Sequence, residues 1–171
     1  MTAKRIHILG GSCAGKTTIA RALSDRLGIA YHALDDMHWD NSGGYLGIRR
    51  DPEERQRLLS GVLDRESWIV EGVYYNWLAD AFQAADVIVI LDHGTWTRQA
   101  RMIRRFVRGK LGREDGQEEG LRSLWETFRW NHRYDRINLP ATRRFISSVG
   151  RSWTDCRTFE DVMKAADADA G

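Results

Sequence analysis

The sequence is poor in cysteine and has no long apolar run. Its two cysteines, Cys13 and Cys156, form no CxxC pair and lack metal-ligand spacing, so we expect free thiols. No apolar run approaches the ~18 residues that a membrane-spanning helix needs. Residues 1–5 lead directly into an apolar segment, which leaves no room for a secretory signal. These absences predict a cytoplasmic protein.

Internal repeats, low-complexity tracts and linkers are also missing. A chain of 171 residues is long enough to bury one core, so we expect a single domain over residues 1–171. Its hydrophobic fraction of 42% and charged fraction of 29% are typical of a globular protein.

Acidic residues are missing from one long stretch. There are none from Thr95 to Arg113, and residues 98–157 carry 15 Lys and Arg against 7 Asp and Glu. The whole chain has a net charge of only +2, so the basic excess is local. Such an asymmetry favours contact with a polyanion, either the phosphates of a small nucleotide or the backbone of a nucleic acid.

The most specific motif lies near the N-terminus. Residues 10–18, GGSCAGKTT, fit the phosphate-binding pattern G-x-x-x-x-G-K-[ST]. An apolar stretch at 6–9 precedes the motif, and residues 18–27 carry apolar side chains at helical spacing after it. Strand, loop and helix are the context that the motif requires. The predicted nucleotide-binding residues are Gly10, Gly11, Ser12, Cys13, Ala14, Gly15, Lys16, Thr17 and Thr18.

The residue types of this loop explain its expected chemistry. Its glycines let successive N–H groups point inward around an anion at a helix N-terminus. Lys16 adds a positive charge for the β- and γ-phosphoryl oxygens, and the Thr17 hydroxyl is the expected ligand of Mg²⁺. We therefore expect ATP and Mg²⁺ as cofactors.

The rest of the chain alternates short apolar strands with helices. Strands are predicted at 29–34, 67–71, 85–92 and 152–156, and helices after Asp51-Pro52, at 76–84, 95–110, 117–134 and 139–149, and after Thr158. Unbroken apolar strands that alternate with helices indicate an α/β fold with a parallel sheet.

Four acidic residues follow the predicted strands: Asp35, Asp36, Glu71 and Asp92. Ligands of parallel sheets bind at the carboxyl ends of the strands. Asp35 is predicted to face the terminal phosphate and to hold metal-bound water or orient an acceptor hydroxyl, with a turn or capping role as the alternative. Asp36 is expected to point away. Glu71 suits a carboxylate that binds the metal through water, with a helix-capping role as the alternative. Asp92 also fits a carboxylate near the metal, and the strand order decides between them.

A series of arginines follows the last of these carboxylates. The series is Arg98, Arg101, Arg104, Arg105 and Arg108. Its members at i, i+3, i+7 and i+10 lie on nearly one face of the predicted helix, without balancing acids nearby in sequence. Such guanidinium groups suit stabilisation of a transferring phosphoryl group. The alternative is that they serve solubility or pair with distant acids.

Aromatic residues follow the strand ends where an acceptor would enter. They are Trp39, Tyr45, Tyr74, Tyr75 and Trp77. Two interpretations are open: one or two of these rings stack on a base or another planar group, or the rings pack within the protein.

Four segments together resemble the topology-modulation protein family, which is related to the adenylate kinases. They are GGSCAGKT at 10–17, LDDMHW at 34–39, WIVEGVY at 68–74 and the arginine series from Arg98 to Arg105. The resemblance implies the three-layer α/β/α fold of the P-loop nucleoside-monophosphate kinases, with a five-stranded parallel sheet of order 2-3-1-4-5. It also implies a lid over roughly residues 98–120, with a hinge at 109–120.

The resemblance also implies roles for single residues. Lys16 and Thr17 would contact the triphosphate and Mg²⁺, and Asp35 would be the acidic residue on the acceptor side. Arg98, Arg101 and Arg105 match the lid arginines. Glu71 stands where the family usually has Asp followed by Gly, near the metal, which favours Glu71 over Asp92.

The sequence thus favours an ATP-dependent kinase that acts on a small molecule or a nucleotide. Its phosphoryl acceptor is not identified by any motif. The alternative function, suggested by the family name and the basic segment, is an ATP-dependent nucleic-acid-binding protein that modulates DNA topology.

Overall fold

The computed structural model describes residues 3–40, 47–110 and 121–168. In these ranges the strands are β1 (Arg5–Gly10), β2 (Tyr31–Ala33), β3 (Trp39–Asp40), β4 (Ile48–Arg49), β5 (Trp68–Gly72), β6 (Val87–Leu91) and β7 (Thr154–Cys156). The helices are α1 (Lys16–Leu27), α2 (Leu34–His38), α3 (Pro52–Leu63), α4 (Ala79–Ala84), α5 (Thr95–Lys110), α6 (Leu121–Arg133), α7 (Leu139–Ser148) and α8 (Phe159–Ala168). A π-helical segment (Tyr134–Asn138) joins α6 to α7.

Five strands form one parallel sheet in the order β2-β5-β1-β6-β7. Counted along the chain without the short β3 and β4, this is the order 2-3-1-4-5. The predicted fold class is therefore confirmed. Every residue of β5 and β6 is buried, which explains why these strands read as unbroken apolar runs.

Helices cover both faces of the sheet and form two hydrophobic cores. The first core packs α1 and α8 against the sheet through Ile8, Leu23 and Val162. The second packs α3, α4 and α7 against the opposite face and contains Trp68 and Phe82. The carboxyl ends of β1, β2 and β5 remain accessible between these layers, and the candidate site lies there.

Two helices begin at residues whose side chains cap the helix N-terminus. Asp51 accepts a hydrogen bond from the Glu53 N–H at 2.9 Å, as expected of an N-cap before Pro52. Thr158 and Asp161 bond reciprocally at 3.1 and 2.9 Å and form a capping box at the start of α8, where a helix is predicted.

Other boundaries differ from the predictions because tertiary contacts override short patterns. The predicted strand at 29–34 is cut to Tyr31–Ala33, since Leu34 begins α2 and is fully buried against β5. The predicted helix at 76–84 begins only at Ala79. The antiparallel pair β3 and β4 was not predicted at all, since each strand has two residues.

Two further sequence expectations concern the lid hinge and the absence of membrane-spanning helices. Of the predicted hinge at 109–120, residues 111–120 lie outside the described ranges. Within the described residues, no helix combines the length and apolarity that crossing a membrane requires.

Candidate active site

The phosphate loop connects the carboxyl end of β1 to the first residue of α1. Its last residue before the helix, Gly15, has a φ of +94°, a conformation that side chains other than glycine rarely adopt. Cys13 also has a positive φ of 59°. A Cβ on Gly11 would lie 3.0 Å from the Arg98 Cζ atom, so the loop backbone passes close to a buried guanidinium. The loop thus has the tight shape that the motif predicts.

Lys16 points back into this loop. Its Nζ donates a hydrogen bond to the Gly11 carbonyl at 3.1 Å. Burial lowers the pKa of Lys16, while the nearby carboxylates of Glu71 and Asp35 act to raise it. The Lys16 ammonium group therefore lies in the loop, bonded to the Gly11 carbonyl and close to the carboxylates of Glu71 and Asp35.

Glu71 lies next to the first turn of α1. The Thr17 hydroxyl donates to Glu71 Oε1 at 2.7 Å, although 54 residues separate the two in sequence. The contact follows from sheet order, because β5 pairs with β1 and places Glu71 opposite Ile8. Glu71 is 5% exposed, so its carboxylate is buried beside the hydroxyl predicted to bind Mg²⁺.

Asp92, the alternative metal carboxylate, lies in a different environment. It follows β6, and Arg143 contacts it at 3.0 Å. The same guanidinium contacts Asp155 at 2.7 Å. Asp92 does not line the cleft that contains Lys16 and Glu71, so its carboxylate is committed to a structural ion-pair network.

Gly72 allows α2, which carries Asp35, to approach the end of β5, which carries Glu71. A Cβ on Gly72 would lie 2.8 Å from both Cβ and Cδ1 of Leu34, the residue before Asp35. Such a distance is too short for two carbon atoms, and both Leu34 and the strand are fully packed. Glycine is therefore required for α2 to lie against β5.

We expect Gly72→Ala to lower the free energy of unfolding by about 1–3 kcal/mol, because the new methyl group must push α2 away from β5. Chemical denaturation of the wild type and the variant would measure the change. Gly94→Ala is the matched control, since a Cβ there meets no atom within 4 Å. An equal loss of stability in both variants would contradict this explanation.

Asp35 is exposed on α2 and is held from the side by an aromatic cluster. The Tyr74 hydroxyl donates to Asp35 Oδ1 at 2.8 Å, and Trp39 Nε1 donates to the same hydroxyl at 3.1 Å. The Tyr74 ring stacks on His38 with centroids 4.3 Å apart. Burial, together with the Asp35 carboxylate, raises the pKa of Tyr74, so the phenol stays protonated and can donate.

Sequence reasoning missed Arg55, which lies behind this cluster. Its Nη1 lies 3.1 Å from His38 Nδ1, and its guanidinium lies over the Trp77 ring at 5.3 Å. Burial and the Arg55 charge lower the pKa of His38, which is therefore neutral at pH 7. The buried face of α3 carries an arginine, and that exception to the apolar pattern was the signal available in the sequence.

The predicted lid arginines occupy different environments. Arg101 Nη1 donates to the Ala14 carbonyl of the phosphate loop at 3.0 Å. Arg101 and Arg105 both line the cleft. Arg98 does not line it, because its side chain is buried and bonds to Asp135 at 2.6 Å and to the His93 carbonyl at 2.8 Å.

Arg98 thus follows the alternative in which an arginine of the series pairs with a distant acid. Its partner Asp135 comes from the π-helical segment, 37 residues later in the chain. Asp135 also accepts a hydrogen bond from the Thr95 hydroxyl at the start of α5. Spacing within one helix could not reveal an acid that tertiary packing brings in.

These groups surround one cleft of about 710 Å³. The phosphate loop, Asp35 of α2, Glu71 of β5 and the α5 arginines Arg101 and Arg105 line it together. Helix α6 adds Glu126, Thr127 and Trp130, none of which the sequence singled out. The cleft therefore brings together most of the predicted site residues.

The fold is that of the P-loop small-molecule kinases. A shikimate kinase from Bacteroides thetaiotaomicron superposes with a TM-score of 0.57 and 14% identity, over 97% of this chain and 96% of that one. A shikimate kinase from Acinetobacter baumannii in complex with shikimate has a TM-score of 0.58 and 15% identity, over 96% and 89%. A gluconokinase from Sinorhizobium meliloti 1021 has a TM-score of 0.51 and 16% identity, over 97% and 90%.

Sequence comparison finds a relative without an assigned activity. The uncharacterized protein YqaC of Bacillus subtilis (strain 168) is 28% identical over 147 residues, which are 84% of this chain and 79% of that protein. No protein-family model matches the chain. The resemblance to the topology-modulation family therefore stays a prediction, while the P-loop kinase fold is established.

Proposed function

We propose that this protein is an ATP-dependent phosphotransferase that acts on a small-molecule or nucleotide acceptor. The observation that carries the proposal is the contact between Thr17 and Glu71 beside Lys16, in a cleft that Asp35 and Arg101 share. The fold likeness to shikimate kinases and gluconokinases supports the same class of reaction.

The donor half of the site would consist of the phosphate loop and Glu71. The loop N–H groups and Lys16 would bind the phosphates of ATP, and Lys16 would leave the Gly11 carbonyl to do so. The oxygens of Thr17 and Glu71 are ligands that suit Mg²⁺, which commonly takes its remaining ligands from phosphates and water. When bound, Mg²⁺ would neutralise charge on the β- and γ-phosphoryl oxygens.

The acceptor half would be organised by Asp35. Because Tyr74 donates to Oδ1, the carboxylate is fixed in orientation and its Oδ2 is left to accept a hydrogen bond from an acceptor hydroxyl. The hydroxyl proton would pass to Asp35 while the acceptor oxygen bonds to the γ-phosphorus. The bond between the γ-phosphorus and the bridging oxygen of the β-phosphate would break at the same time, which releases ADP.

The arginines would divide the remaining work. Arg101 and Arg105 would contact the transferring phosphoryl group from a lid over roughly residues 98–120, within a single domain of residues 1–171. Arg98 would act as a positioning residue, since its guanidinium packs against Gly11 and is already bound by Asp135. We do not extend the proposal to nucleic acid, because two arginines of the basic segment 98–157, Arg98 and Arg101, contact Asp135 and the phosphate loop.

The experiment is a transfer assay with Mg-ATP and a panel of nucleosides, nucleoside monophosphates and small hydroxyl compounds, read by ADP release and by ³¹P NMR of the product. We expect at least one acceptor to be phosphorylated. Asp35→Asn should reduce that transfer about 10²–10⁴-fold while ATP still binds. Asp36→Asn is the matched control, because Asp36 does not line the cleft. Intact ATP binding with no transfer to any acceptor would count against the proposal.

A further inference from the structure

A second cleft lies between the edge strand β2 and helix α3. It has a volume of about 620 Å³ and meets α2 through Asp36 and Met37, whereas the first cleft meets α2 through Asp35. None of the residues assigned to phosphoryl transfer lines it. The chemistry of its lining therefore needs a separate explanation.

Three arginines line this second cleft. Arg50 is held in place by Glu54 at 3.1 Å and by Asp40 at 3.6 Å. Arg57 and Arg65 are exposed, and neither forms an ion pair with an acid among the residues that the structure describes. Asp36 contributes the only carboxylate in the described lining, so positive charge exceeds negative charge.

A glycine in the last turn of α3, Gly61, also lines the cleft. Gly61 lies one helical turn after Arg57 in α3, and Arg65 follows the end of that helix; all three line the cleft. Glycine in a helix interior is less stable than alanine. Close packing does not explain it here, because a Cβ on Gly61 would meet no atom within 4 Å. The missing side chain instead leaves open space in the cleft beside Gly61.

The opposite wall carries an unsatisfied polar atom. His32 lies on β2, and its Nε2 is buried without a hydrogen-bond partner among the described residues. Burial, together with the charge of Arg65, lowers the pKa of His32, so its ring is neutral at pH 7. Buried polar atoms in native proteins usually have a partner, and a ligand is one way to supply it.

We propose that this second cleft binds a phosphate-bearing small molecule, held by Arg57 and Arg65 over Gly61. The planar guanidinium fork matches two oxygens of a phosphate, and Arg50 adds a third cation whose direction is already set. The site lies outside the proposed transfer cleft and does not depend on the function assigned to it.

The test uses inorganic pyrophosphate without metal, titrated calorimetrically into Lys16→Ala protein at low ionic strength. This background weakens binding at the phosphate loop. We expect one pyrophosphate per chain, and at least about tenfold weaker binding after adding Arg57→Ala and Arg65→Ala, since two charge-assisted contacts are lost. Arg136→Ala with Arg144→Ala is the matched control, because both arginines are exposed and neither lines the cleft.

A second variant separates loss of the site from loss of the fold. Gly61→Leu should keep or raise the melting temperature, because leucine favours a helix and its Cβ meets no atom. The same variant should abolish pyrophosphate binding, because the leucine side chain would fill the cleft beside position 61. Unchanged affinity in Gly61→Leu or in the Arg57 and Arg65 double variant would overturn the proposal. ATP binding to the wild-type chain is measured separately, so this failure would leave the kinase proposal standing.

Discussion

Lys16→Ala is expected to reduce ATP turnover about a thousandfold, provided that the chain is a phosphotransferase. The Lys16 ammonium is the cation held inside the loop, 3.1 Å from the Gly11 carbonyl and close to Glu71 and Asp35. In a site with little water, removal of a charge aimed at the transferring group costs several kcal/mol of transition-state stabilisation. The backbone N–H groups of the loop would remain.

The measurement is the rate of ADP release from Mg-ATP, with the best acceptor of the panel and without it. Lys164→Ala is the matched control, because Lys164 is exposed on α8 and lies outside the cleft. Thermal melting of both variants would show whether the fold is preserved. A rate within tenfold of the wild type for Lys16→Ala would refute the role assigned to this residue.

Asp135→Asn is expected to lower the free energy of unfolding by about 3 kcal/mol. The Arg98 side chain is only 1% exposed, and Asp135 is the carboxylate that balances its charge at 2.6 Å. The variant would leave a buried guanidinium with carbonyl partners alone, and it would weaken the contact with Thr95 at the start of α5.

Urea denaturation would measure this loss, with Asp155→Asn as the control. Asp155 also pairs with an arginine, Arg143, but its side chain is 50% exposed, so about 1 kcal/mol or less is expected there. Equal losses of unfolding free energy in the two variants would show that burial of Arg98 does not increase the cost of breaking its ion pair.

The same contact explains why a π-helical segment lies between α6 and α7. A π-helical turn changes the direction of side chains relative to a regular helix and is frequently found at functional sites. Here the segment carries both Tyr134 and Asp135, and both contact Arg98. Arg98 in turn packs against Gly11, so α5, the π-helical segment and the phosphate loop form one connected unit.

Much of the fold could be predicted because its signals are local. The strand before Gly10, the loop and the start of α1 follow one another in sequence, and the caps at Asp51 and Thr158 act within four residues. The parallel sheet follows from unbroken apolar strands that alternate with helices. The strand order came from the family resemblance and not from the residues themselves.

Only part of the candidate site could be predicted from the sequence. Lys16, Thr17, Asp35, Glu71, Arg101 and Arg105 all line one cleft. The family resemblance implies that Arg98 is a lid arginine, yet it is buried and its acid lies 37 residues away. Arg55 was missed because an arginine inside an amphipathic pattern reads as a solvated residue until its burial is known.

The sequence by itself determined the phosphate loop, the parallel α/β architecture and the residues available for chemistry, since each depends on neighbours within one or two elements. Only the tertiary structure decided that Glu71 contacts Thr17 while Asp92 pairs with Arg143, and that Arg98 is buried while Arg101 lines the cleft. These choices depend on which strands pair and how α5 packs against α6 and the π-helical segment. Contacts between residues far apart in sequence carry no local pattern, so packing alone assigns them.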